Sequence, residues 1–214
     1  MANASILRSG ATLAIVAAVC TALVAVTYSA TRERIAANEQ AWLEQSLAPA
    51  LSGLFFDSAV TESPLTIPAP HDLPGSGDAV IYRVYSADEP AAALFVVSAR
   101  DGYSGAIGLL VGVDTDGVIT GVHVLDHRET PGLGDRIERT KSDWLDRFDG
   151  RSLGDPATDE WKINPDGGDF DQLTGASVTS RAVVNAVRQT LEYFAANEDS
   201  IFAAPAAGEE EAGP

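Results

Sequence analysis

Asp171-Gln-Leu-Thr174-Gly175-Ala176-Ser177 constrains this chain more than any other stretch, because a tight Thr-Gly-Ala turn runs straight into an apolar-periodic segment, Val178 to Phe194. Gly supplies the unusual backbone angles of such a turn, and small hydroxyl residues favour helix N-termini. The layout predicts a helix that starts at the turn and presents a hydroxyl at its N-terminus. Val183, Val187, Leu191 and Phe194 share one face of that helix, and Arg181, Arg188, Gln189 and Glu192 lie elsewhere. Backbone N–H groups at a helix N-terminus lack partners, and the helix dipole favours an anion there. A plain helix cap is the alternative use of the same residues.

The chain before the turn reads as short strands. Val80–Tyr85, Ala92–Val97, Ile107–Val113 and Val118–Leu125 are rich in β-branched and aromatic residues. Asp114-Thr-Asp-Gly117 joins the last two as a hairpin signal. It also matches a fragment of a calcium loop, but a Glu at the required spacing is missing. Arg136–Phe148 is predicted to be helical, and Trp161–Asp171 a Gly- and Asp-rich loop. The expected fold class is α+β.

Upstream, Ser9 to Thr31 carries no charge and is long enough to cross a bilayer, which takes about 20 residues. A cleaved signal peptide competes with this reading, but Arg8 is the only basic residue before the segment. Val19 is too bulky for lipoprotein processing at Cys20. Arg8 and the amino terminus stand against Arg32 and Arg34 on the other side, so charge does not orient the segment. Ile35–Leu54, with Trp42, Leu43, Leu47 and Leu51 at helical spacing, is expected to extend it as a stalk. Pro64, Pro68, Pro70 and Pro74, with Gly75 and Gly77, are expected to form a linker. The expected organisation is an N-terminal transmembrane helix over 1–30, a stalk and linker over 31–78, a mixed α/β domain over 79–196, and an acidic disordered tail over 197–214.

Net charge is −17, which argues against nucleic-acid binding. Cys20 is the only cysteine, so neither an intrachain disulfide nor a cysteine metal site is available. His71, His123 and His127 show no metal-ligand spacing. Rossmann, Walker and nucleophile-elbow signatures are absent. The side chains alone therefore offer no evident group-transfer chemistry.

Asp171, Thr174, Gly175 and Ala176 match the flavinylation signature of bacterial proteins with covalent FMN, and Ser177 stands where that signature has Thr. A second segment, Glu129-Thr130-Pro131-Gly132-Leu133-Gly134-Asp135, and the lead-in Gly102-Tyr103-Ser104-Gly105 occur in the matching order. With them the chain, from about Val80 to Phe194, resembles the FMN-binding domain family of the Rnf complex G subunit and of the C subunit of the sodium-translocating NADH:quinone reductase. The membrane anchor agrees, and the length favours the Rnf type.

The resemblance implies FMN joined through its phosphate to Ser177, with Thr174 and then Thr179 as alternative oxygens. It implies that Thr130 and Leu133 line the flavin ring and that Glu129 lies near it or caps a turn. Gly132 and Gly134 are read as structural. Asp171 is expected to shape the turn or to be read by the attaching enzyme, a flavin transferase that uses FAD and a divalent metal. The implied role is an electron carrier in a membrane complex that couples electron flow between ferredoxin and NAD to ion movement. The other subunits of the Rnf complex are then its partners, and no turnover is expected of the chain alone. The implied location is the bacterial inner membrane, single-pass, with the domain in the periplasm. A flavin-free anchored binding or scaffold module is the alternative of a different class.

Overall fold

The computed structural model describes residues 64–86 and 89–203, and part of 10–28. The stalk expected over Ile35–Leu54 and the tail from 204 onward lie outside the described residues. The chain divides into two compact units, Met1–Gln45 and Ser46–Pro214.

In the first unit the described residues are helical. Leu13, Val16, Val19 and Val24 are all more than half exposed. No described helix is long and apolar enough to cross a membrane.

The second unit is built on a five-stranded antiparallel sheet in sequential order: β1 (Pro64–Ile67), β2 (Ala79–Ser86), β3 (Glu89–Ala99), β4 (Ile107–Asp114) and β5 (Ile119–Asp126). β2 to β5 fall where the β-rich runs predicted strands. β1 is a correction, because Pro64–Ile67 pairs with Ala79–Tyr82 where the prolines suggested only a linker. Pro64 stands at the first position of an edge strand, where a missing N–H costs no ladder bond. At the β4–β5 hairpin, Asp114 Oδ1 accepts the Asp116 and Val118 amides at 2.9 Å each. Its carboxylate is thus committed to the turn.

One long helix, α1 (Ser177–Phe202), packs across β3 and β4. Val183, Val187, Leu191 and Phe194 are buried, as the 3.6-residue period requires. Phe95 of β3 meets Phe194 edge-to-face at 6.2 Å between centroids. The helix runs past Phe194 and through Phe202, so the disordered tail expected from 197 is corrected there, because Ile201 is buried and Phe202 packs on Phe194.

Between β5 and α1 the chain is irregular. Arg136–Phe148 is not one helix but two 3₁₀ turns, Gly134–Ile137 and Trp144–Phe148. The cause is local: Ser142 Oγ donates to the Arg136 carbonyl at 2.5 Å and accepts the Trp144 amide at 3.3 Å. Such side-chain bonds compete with helical ones. Trp144, Phe148, Trp161 and Phe170 gather beneath this segment, with Phe148 and Phe170 stacked at 4.9 Å. Their burial holds a long stretch that has little secondary structure of its own.

Candidate functional site

A cleft of about 410 Å³ opens where three segments meet: the lead-in loop after β3, the loop after β5, and the N-terminus of α1. It is lined by Tyr103, Glu129, Thr130, Leu133, Gly134 and Gly175, and by Ala176 to Thr179. All three carry motifs singled out in the sequence, now side by side. In the second unit, the exposed large hydrophobic side chains among the described residues are Tyr103 (70%), Leu133 (44%) and Val178 (43%). All three surround this cleft.

The loop after β5 is wound tightly around one carbonyl. Thr130 O accepts the amides of Leu133, Gly134 and Asp135 at 3.0 to 3.3 Å. Gly132 has φ of +78°, which favours glycine. A Cβ on Gly134 would come within 2.9 Å of the Glu129 side chain and 3.0 Å of Thr179 Oγ1. Only glycine lets this loop lie against α1.

Glu129 is 4% exposed. Its Oε1 accepts the Ser104 amide at 2.9 Å, and its Oε2 accepts the Thr179 hydroxyl. One carboxylate therefore ties all three walls of the cleft together. Its own amide donates to His127 Nδ1 at 3.0 Å, and His127 Nε2 lies 3.0 Å from Glu138 Oε1. Lys141 bridges Glu138 at 2.6 Å and Asp135 at 2.9 Å. The hydrogen bond from Lys141 holds the Asp135 and Glu138 carboxyls below the usual carboxylate range and raises the Lys141 ammonium above its ordinary value.

At the turn into α1, Gly175 has φ of +81°. Ala176 occupies the cap position, and no side chain caps the helix. The plain-cap reading of Thr174-Gly-Ala-Ser is therefore not what the structure shows. Ser177 is the first helical residue, half-buried, and its hydroxyl makes no hydrogen bond among the described residues. The backbone amides of Ser177, Val178 and Thr179 make no backbone hydrogen bonds among the described residues either. The turn is held from within: Leu173 donates its amide to Ser180 Oγ at 2.9 Å, and Ser180 Oγ donates to the Ala176 carbonyl at 3.0 Å.

Asp171 and Thr174 do not line this cleft. They face a neighbouring one of about 390 Å³. The Asp171 carboxylate accepts from Arg147 and from Asn164 Nδ2, and its carbonyl accepts the Trp144 indole N–H at 2.6 Å. Tyr103 was visible in the sequence only as part of a lead-in motif, and Val178 only as the start of the helical period. Thr179, read as a weak alternative attachment oxygen, is 1% exposed and is the partner of Glu129.

The site offers free amides and a hydroxyl at a helix N-terminus, with an apolar rim beside them. Such a site suits a ligand with an anionic end and a flat apolar body. The glycines that let the walls approach leave the cleft open.

Comparison with known proteins agrees with this geometry. Residues 102–192 match the FMN-binding domain model, and residues 1–49 match that of the RnfG N-terminal region. The chain is thus a protein of the FMN-binding domain class. Proteins named as the G subunit of an ion-translocating oxidoreductase complex resemble it nearly end to end. The one from Pseudomonas aeruginosa is 44% identical over 93% of both chains. That from Vibrio atlanticus is 41% identical over 96% of this chain and 97% of its own. The Escherichia coli protein is 41% identical over 96% of this chain and 98% of its own. The chain belongs to this family, that of the ion-translocating oxidoreductase complex G subunit.

Proposed function

We propose that this chain is the FMN-bearing electron-transfer subunit of an ion-translocating oxidoreductase complex, with FMN joined by a phosphodiester bond to Ser177. The single observation that carries the site is Ser177 itself. Its hydroxyl is uncommitted, sits at the first helical position, and adjoins amides with no backbone partner among the described residues. A phosphate there gains the helix dipole and those donors.

FMN supplies one- and two-electron chemistry, and the chain holds and shields it. Tyr103, Leu133 and Val178 supply apolar walls for the ring, and Thr130 adds a hydroxyl at its edge. Glu129 fixes the walls. Gly175 lets the turn pass close to Leu133. Asp171, bound to Arg147 and Asn164, shapes the turn from behind. Thr174, on the far side of the turn, is the second choice of attachment oxygen.

Attachment needs a flavin transferase, and the other subunits of the complex are the chain's partners. The uncharged run over 9–31, with its exposed Leu13, Val16, Val19 and Val24, supports a single-pass anchor in the bacterial inner membrane. The domain, from β1 to the end of α1 at Phe202, then lies in the periplasm. Electron flow between ferredoxin and NAD, coupled to ion movement, is the function of the whole assembly.

Flavin fluorescence in a denaturing gel tests the attachment. A fluorescent band after co-expression with a flavin transferase is expected, and a dark band with flavin released into the supernatant contradicts it.

A further inference from the structure

Glu129 is a buried carboxylate. No lysine or arginine pairs with it among the described residues, although it is only 4% exposed. Burying an unpaired charge is costly. What offsets the cost here is visible. Two hydrogen bonds, from the Ser104 amide and the Thr179 hydroxyl, end on its oxygens. Thr179 belongs to the first turn of α1, so the positive end of the helix dipole faces the carboxylate.

We propose that Glu129 sets the redox poise of the cleft. Its fixed negative charge, in the wall of the same cleft as Ser177, disfavours the arrival of an electron and so lowers the reduction potential of the bound flavin. This rests on the reading that FMN occupies the cleft. One electron enters and one leaves, and no bond of the chain changes. Little water reaches the carboxylate, so its field is screened less than that of a surface charge. Tying the three walls is a second effect of the same residue, and two substitutions separate the effects. Gln at 129 removes the charge but keeps both bonds, with its oxygen accepting from Ser104 and its amide donating to Thr179 Oγ1. Ala removes both bonds.

The test is a spectroelectrochemical titration of the flavin-loaded full chain and its Glu129→Gln variant, beside thermal unfolding of both proteins without flavin. The expected result is a higher flavin potential in Glu129→Gln, with an unfolding midpoint near that of the parent. Glu129→Ala should lower the midpoint markedly. An unchanged or lowered potential in a Glu129→Gln protein that carries flavin overturns the proposal. Loss of flavin from Glu129→Gln alone also overturns it, because Glu129 would then be a loading residue. A parent protein that carries no flavin after maturation contradicts the FMN reading instead.

Discussion

Gly175 and Leu133 lie so close that a Cβ on Gly175 would come within 3.0 Å of Leu133 Cδ2. The two residues are far apart in sequence, and their contact joins the turn before α1 to the loop after β5. Gly175 also has φ of +81°. Gly175→Ala should therefore destabilise the domain by about 1–2 kcal/mol from the backbone alone. It should also push Leu133 out of line. Urea unfolding of the flavin-free domain measures the first effect, and the loaded protein's visible spectrum reports the second.

Ser180 is fully buried and serves the turn from both directions, as donor to Ala176 O and acceptor from Leu173 N. Ser180→Ala leaves the Leu173 amide without its acceptor, at a cost of roughly 1–3 kcal/mol. Amide exchange at Leu173 should accelerate more than at the middle of α1. Equal acceleration at both would mean that Ser180 supports the helix as a whole.

The loop after β5 should loosen in acid. Lys141 depresses the Asp135 and Glu138 pKa values below those of the unfolded chain. Their contribution is present above the ordinary carboxylate range, near pH 4, and is lost as pH falls through the folded values. The Lys141 pKa is raised, so its contribution is present below its ordinary value, near 10.4, and is lost as pH rises through the folded one. Exposure of the Lys141 side chain keeps both effects small. Lys141→Met should flatten the acid and alkaline limbs of a denaturation-midpoint profile. An unaltered profile would mean that the pairing is only a surface contact.

Much of this architecture is legible in the sequence. The four β-rich runs and the period of Val183, Val187, Leu191 and Phe194 respond to one sheet and one helix, so local pattern suffices. Pro64–Ile67 was not legible, since prolines signal breaks and only pairing with β2 makes that stretch a strand. Arg136–Phe148 misled because Ser142 diverts the backbone, which apolar spacing does not register. At the site, Thr130, Leu133 and Ser177 stood out through motifs. The joining of Glu129 to Ser104 and Thr179 spans 25 and 50 residues, and no local signal reports such a contact. Asp171 facing the neighbouring cleft is likewise a product of tertiary placement.

Peptide mapping of the flavin tests the central claim most directly. The full chain and its Ser177→Ala variant are each matured with a flavin transferase and digested, and the flavin-bearing peptide is sequenced by mass spectrometry. The predicted result is one FMN, less one water, on Ser177 in the parent and none in the variant, with Ser177→Thr accepting it as well. Covalent flavin persisting in Ser177→Ala, on Thr174 or any other residue, would contradict the account.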